Sequence, residues 1–94
     1  MLPAPELIKA MTGSSVLIGT LLHPPVKLVL DNQSTSSVVI SVAVGNSLVQ
    51  WKTFQAGEGL VLDDDFYIFP QGTKFYGNGA ATGNFSISYT YINL

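Results

Sequence analysis

Asp63, Asp64 and Asp65 form the densest group of possible metal ligands in the sequence, and three carboxylates together suggest calcium. Calcium binds about six to eight oxygen atoms, which usually come from several segments of a chain. Neighbouring residues of a strand point to opposite sides, so three consecutive carboxylates cannot all face one ion. A solvated turn that also discourages edge-to-edge strand pairing explains the aspartates more simply. We therefore expect no metal site in this segment.

His23 is the single histidine and therefore the first candidate for general acid–base catalysis. Two prolines follow it directly, and no carboxylate or serine–aspartate group accompanies it nearby in the sequence. The abundant serines do not occur in a Gly-x-Ser-x-Gly nucleophile motif. Gly77 and Gly79 precede no helical pattern, so a phosphate-binding loop is not indicated. We therefore expect a protein that is not an enzyme and carries no cofactor.

The aromatic side chains are the third group with possible binding chemistry. Trp51 and four tyrosines, at 67, 76, 89 and 91, could form a platform on which a sugar stacks. Aromatic residues of small β-domains are more often part of the core or of an interface. Glycan binding therefore remains an alternative to protein–protein binding.

The composition indicates which partners the chain could have. Charged residues make up only 11% of its 94 residues, against about 25% in ordinary soluble domains, while 47% are hydrophobic. Such a surface favours contact with other proteins. The four positive charges are scattered lysines, which argues against nucleic-acid binding. No apolar run reaches transmembrane length, so we expect no membrane partner.

Short alternating segments indicate the elements that would carry these residues. The clearest runs from 37 to 44, with Val38, Ile40, Val42 and Val44 on one face. Gly57 and Gly72 mark two turns, the first of which predicts a hairpin over residues 54–62. About eight such strands predict an all-β antiparallel sandwich or jelly roll over residues 14–94. The expected core comprises Leu28, Leu30, Val38, Ile40, Val42, Phe54, Leu60, Leu62, Phe69, Phe75, Phe85 and Ile87.

Residues 1–13 differ from the rest and predict a separate N-terminal arm. Residues 6–11 have helical propensity and follow Pro5, which suits a first helical turn. A helix this short is marginal alone and needs a surface to pack on. Its apolar side would comprise Leu2, Leu7, Ile8 and Met11. We expect this arm to attach the protein to a neighbouring copy or to the particle, with a cap over one end of its own sandwich as the alternative.

Trp51 is the strongest candidate for a self-association surface. It lies three residues before Phe54, so in a regular strand the two point to opposite faces. With Phe54 in the core, Trp51 would face outward unless a bulge intervenes. An outward tryptophan beside Tyr67 or Tyr76 suits an interface. We therefore expect a homo-oligomer, with a trimer as the favoured state.

Residues 26–92 resemble small β-sandwich domains in structural proteins of tailed bacteriophages. The pattern is an asparagine after a strand, a Ser/Thr turn, a valine-rich strand, two glycine turns and a closing Ser/Tyr strand. The matching residues are Leu30-Asp-Asn32, Ser34-Thr-Ser36, Val38 to Val44, Ala56-Gly-Glu58, Leu60-Val-Leu-Asp63, Gly72-Thr73, Ala80-Ala81 and Ser86 to Tyr91. The first 25 residues have no counterpart in that pattern.

The resemblance implies a structural protein of the virion. Such domains decorate capsids or form tail, neck or fibre parts, so the expected location is the virion, assembled in the host cytoplasm. The expected function is a capsid decoration or cement protein that binds the major capsid protein and stabilises the shell. A tail, neck or fibre component, including a glycan-binding module, is the alternative.

Overall fold

The computed structural model describes residues 1–63 and 69–92, and within these ranges the chain is entirely β-structure and turns. Tyr67, Asp64 and Asp65 lie outside the described residues. None of the described segments is a helix that could cross a membrane. The strands of the described residues are β1 (Leu2–Pro3), β2 (Leu7–Ala10), β3 (Val16–Thr20), β4 (Lys27–Asn32), β5 (Val38–Val44), β6 (Ser47–Phe54), β7 (Gly59–Leu62), β8 (Lys74–Gly79) and β9 (Asn84–Tyr91).

The strands form two antiparallel sheets that face each other across the core. Sheet A has β1 and β2 end to end along β9, followed by β4 and β7. Sheet B has the order β3, β8, β5, β6. Leu2 pairs with Tyr91 and Ala10 pairs with Asn84, so β1 and β2 act as one interrupted edge strand.

The pairing follows a simple rule once β1 and β2 are counted as one strand. This first strand pairs with the last, β3 pairs with β8, β4 with β7, and β5 with β6. The chain is thus one long antiparallel hairpin that is rolled up into two sheets. That arrangement is a jelly roll. The predicted all-β antiparallel sandwich is confirmed.

The core lies between the sheets and uses one face of each strand. Ten of the twelve predicted core residues are buried, while Leu60 and Leu62 are half-buried and pack against the others. In β5 the buried Val38, Ile40 and Val42 alternate with half-buried neighbours, as the period of two requires. The sequence prediction omitted four buried residues: Met11, Ile18, Leu21 and Tyr89.

The turn at residues 55–58 forms as predicted, but it does not close a hairpin. The Glu58 N–H donates to the Gln55 carbonyl oxygen at 3.0 Å, and Gly57 has φ +73°. This is a type II turn, which requires positive φ at its third residue. Because β6 pairs with β5 and β7 pairs with β4, the turn carries the chain from one sheet to the other. The predicted hairpin over residues 54–62 is therefore wrong.

The predicted N-terminal helix is also wrong, because residues 7–10 form strand β2. Their backbone pairs with β9 from Leu7–Ile87 to Ala10–Asn84. A helix of one or two turns gains too little to persist alone, whereas the edge of β9 supplies ready hydrogen-bond partners. Met11 is only 3% exposed and belongs to the core. The segment therefore forms an edge strand along one side of its own sandwich, which differs both from a helical arm and from a cap over one end.

A β-bulge turns Trp51 inward, contrary to the outward position expected for a regular strand. Ile40 pairs with Lys52 but Ser41 pairs with Gln50, so Trp51 is an extra residue in β6. Its ring packs edge-on against Phe69, with 5.2 Å between the ring centroids. Trp51 is half-buried as a result and lies against the core.

Asn32 ties three segments together at one end of the sandwich. Its side chain is fully buried at the end of β4. The amide nitrogen donates to the carbonyl oxygens of Ser36 and Gln55 at 2.9 Å and of Phe54 at 3.2 Å. Its carbonyl oxygen accepts from the backbone N–H and the hydroxyl of Ser34, at 3.0 and 2.7 Å. The asparagine and the Ser/Thr turn of the resemblance therefore hold the fold.

Candidate interaction surface

The four predicted interface residues of the N-terminal segment do not share one face. Leu2 and Ile8 are exposed on the outer strand of sheet A. Leu7 is half-buried and packs on Gly19 of β3, while Met11 is buried between Ile18 and Gly77. Met11 is therefore not accessible to a partner in this fold, whereas Leu2 and Ile8 remain candidates.

Trp51 and Tyr76, the two described members of the predicted aromatic interface, do not lie on the same face of sheet B. Trp51 lies on the inner side of sheet B. Tyr76 alternates with the buried Phe75 and Gly77, so it lies half-buried on the outer side of the same sheet. Tyr67, the third member, lies outside the described residues. Any interface role of Tyr76 consequently involves the outer face of sheet B, without Trp51.

Three exposed apolar side chains of sheet B lie at one end, which we call the hairpin end. Leu48 and Val49 are 64% and 56% exposed, and Val44 is 40% exposed. These three flank the two-residue turn between β5 and β6, where Gly45 has φ +61°. That sign at the first turn position fits a type II′ turn, whose twist suits a short hairpin. The hairpin thus presents apolar side chains around a tight, uncharged tip.

Strand register places Leu22 at this same end. Thr20, Lys74, Ala43 and Leu48 form one row of partners across the four strands of sheet B. Leu22 comes two residues after Thr20 and is 63% exposed. The hairpin end therefore comprises Leu22, Val44, Leu48 and Val49. Lys74 lies in this row of strand partners and adds a positive charge to the hairpin end.

Sheet A carries a shallow groove on its outer face. Its volume is about 250 Å³. It opens at the interruption between β1 and β2 along the edge of β9. The groove is lined by Pro3, Ala4, Lys27, Val29, Ser88, Tyr89 and Thr90. One cation, two hydroxyls and small apolar groups make it a mixed surface.

Lys52 and Glu58 form an ion pair that stabilises the turn at residues 55–58. The Gln55 N–H donates to Glu58 Oε1 at 2.8 Å, and Lys52 Nζ lies 3.1 Å from Glu58 Oε2. The backbone hydrogen bond and then the Lys52 ammonium hold the pKa of Glu58 below its ordinary value.

His23 stacks on Tyr91 with 3.8 Å between ring centroids. Within residues 1–63 and 69–92, no three potential metal ligands lie together.

The hairpin end was not among the surfaces predicted from the sequence. Leu48 and Val49 are adjacent, so they point to opposite sides of β6, and both are largely exposed. Two adjacent apolar residues directly after a Gly-Asn turn were the available signal. Such a pair leaves one apolar side chain on each face of a strand tip that extends beyond the core.

Comparison of the chain with protein-family models, with curated proteins and with solved structures finds no match.

Proposed function

We propose that the protein is a structural component of a tailed-bacteriophage virion, a decoration protein that binds the assembled capsid and stabilises it. The observation that carries this proposal is the hairpin end. Four large apolar side chains are exposed there on a domain whose charged residues make up only 11% of the sequence. Exposed apolar side chains concentrated at one end of a domain favour protein contact there.

The energetics of the hairpin end favour a binding mode with many copies. Fully burying one leucine or valine side chain contributes about 1.5–3 kcal/mol. Association of two molecules costs about 4–15 kcal/mol in lost translational and rotational freedom. The four side chains of one copy therefore give weak to moderate affinity. A repetitive shell that binds linked copies multiplies that affinity without new contacts.

Weak binding by a single copy also favours self-association, with a trimer as the proposed state. Linked copies present several hairpin ends to the shell at once. The resemblance of residues 26–92 to phage structural domains points in the same direction. Jelly rolls occur among viral capsid domains, although this fold also serves lectins and other functions, so the fold supports the proposal by analogy alone.

Co-sedimentation with expanded, undecorated capsids tests the proposal. The wild-type protein is expected to sediment with the particles and to raise their resistance to heat and dilution. Leu48→Asp combined with Val49→Asp places two charges in the contact and is expected to abolish co-sedimentation. Both side chains are largely exposed, so the melting temperature of the variant should stay close to that of wild type.

Val61→Asp is the matched control for this experiment. Val61 is a 55%-exposed strand residue of β7, in the other sheet, so the substitution makes the same change of chemistry elsewhere. The control is expected to bind capsids like wild type. Failure of the wild-type protein to bind capsids would contradict the proposal. Binding to cell-surface glycan or to tail structures instead would favour the alternative functions.

A further inference from the structure

Residues 1–11, which we call the N-terminal arm, are held to the sandwich by backbone pairing and by two inward side chains, Leu7 and Met11. β1 and β2 pair with β9, and the Ala4 and Met11 N–H groups donate to the carbonyl oxygens of Tyr89 and Gly83, both at 2.9 Å. Most side chains of the arm are exposed. The arm therefore binds as an added edge strand, in the way that peptides join an open sheet edge.

Leu7 and Met11 of the arm occupy space that is free because Gly19 and Gly77 have no side chain. A Cβ atom on Gly19 would lie 2.8 Å from Leu7 Cδ1, and one on Gly77 would lie 3.1 Å from Met11 Sδ. Leu7 and Met11 are four residues apart, so along an extended segment both point to the inner side. Two side chains seated over two glycines fix the register of the arm on β9.

The link between arm and sandwich is short, polar and weakly held. It comprises residues 12–15, all of them exposed. Gly13 has φ +87° and donates its N–H to the Gly79 carbonyl oxygen at 2.7 Å. The remaining contacts are local, between Thr12 and Ser14 at 3.3–3.4 Å. The contacts of the arm itself do not depend on which copy of the chain supplies it.

From this geometry we infer that the arm exchanges between copies, so that residues 1–11 of one chain occupy the β9 edge of a second. Each backbone pair and both glycine seats are reproduced in the exchanged form, which is why exchange of an identical element costs little. A second copy of the chain presents the same β9 edge and the same two glycines, Gly19 and Gly77, so it accepts the arm in the same register. This inference rests on the proposed self-association and supplies its mechanism.

Directed disulfide formation tests the exchange in the full-length protein. The sequence contains no cysteine, and Ile8 and Ser86 are direct partners in the β2–β9 pairing. Directly opposed strand residues have a spacing that a disulfide can bridge. Ile8→Cys and Ser86→Cys are made as separate variants, mixed at high micromolar concentration below the melting temperature, and then oxidised. We expect a covalent heterodimer.

Ile8→Cys mixed with Leu48→Cys is the control for chance collisions, because both positions are exposed and they are not strand partners. If the arms exchange, the mixture of Ile8→Cys with Ser86→Cys gives at least about ten times more heterodimer than the mixture of Ile8→Cys with Leu48→Cys. Equal yields would overturn the inference. The mixed proteins are also tested for capsid binding, and that result bears on the proposed function separately.

The double variant Ile8→Cys with Ser86→Cys, oxidised as a dilute monomer, locks each arm onto its own sandwich. The exchange predicts that the locked protein remains monomeric at high concentration by sedimentation and oligomerises again after reduction. A locked protein that oligomerises like wild type would overturn the exchange while leaving the proposed function intact.

Discussion

Replacing Asn32 by alanine should destabilise the protein more than most single substitutions. The side chain is fully buried; its two amide hydrogens are shared among three carbonyl oxygens, and its own carbonyl oxygen accepts two hydrogen bonds. Alanine removes all of them and cannot restore any. The three segments that meet at Asn32 are the end of β4, the start of β5 and the turn after β6.

The size of the stability loss follows from the buried groups that lose their hydrogen bond to Asn32. The Ser34 N–H and the Phe54 carbonyl oxygen bond Asn32 at buried positions, whereas the Ser36 and Gln55 carbonyls lie nearer to solvent. Each buried group left unsatisfied costs about 1–3 kcal/mol. We therefore expect a loss of about 2–6 kcal/mol. Small domains have only about 5–15 kcal/mol in total.

Thermal unfolding followed by circular dichroism measures this loss. For a domain of this size each kcal/mol shifts the melting temperature by about 4–8 °C, so a 3 kcal/mol loss corresponds to about 12–24 °C. Asn32→Asp keeps the size but directs a carboxylate at three carbonyl oxygens. It should therefore be at least as destabilising as alanine at neutral pH.

Asn78→Ala provides the matched control, because Asn78 is exposed in β8. Its effect should stay within about 0.5 kcal/mol. If Asn32→Ala melts within about 2 °C of wild type, the hydrogen bonds of Asn32 do not stabilise the fold and the reasoning is refuted.

Two further predictions test the turn and the N-terminal segment. Because the backbone N–H of Gln55 lowers the pKa of Glu58 below 4.5, its ionised form stabilises the fold above that value, and this contribution is lost as pH falls through the lowered pKa. The melting temperature of Glu58→Gln should therefore fall less than that of wild type when the pH is lowered. Met11→Ala should cost about 2–5 kcal/mol in urea unfolding, against almost nothing for the exposed Met1→Ala. Equal effects of the two methionine substitutions would place Met11 outside the core.

The strands of the middle of the chain could be predicted because their local pattern and their burial agree. Val38, Ile40 and Val42 alternate in sequence and are buried in the structure. Gly57 and Gly72 marked turns because positive φ is easily reached only by glycine. In these places one residue type and its immediate neighbours are sufficient to determine the backbone.

The partners of the strands could not be predicted, because they depend on distant segments. The turn at Gly57 looks like a hairpin turn in sequence, yet it joins two sheets. Met11 looked like part of a short helix because the open edge of β9, far along the chain, is not visible locally. Trp51 faces inward through a bulge whose presence depends on its register with β5. The hairpin end was missed for the same reason, since its exposure depends on where the facing sheet stops.

The rolled-hairpin order of the strands also dictates how the protein can fold. Strand partners lie three residues apart at Val44 and Ser47, 34 apart at Leu28 and Leu62, and 89 apart at Leu2 and Tyr91. Closing a larger loop costs more entropy, so pairing is expected to begin at the β5–β6 turn and to proceed outward. Chains dominated by such distant contacts fold in milliseconds to seconds.

On the ribosome this order has a further consequence. β9 is the central partner of sheet A, but it is synthesised last of the described strands. β1 and β2 are made before the other described strands, so the arm cannot pair until residues 84–91 have been synthesised. During that interval, ribosomes that translate the same messenger RNA keep nascent chains with unpaired arms close to each other.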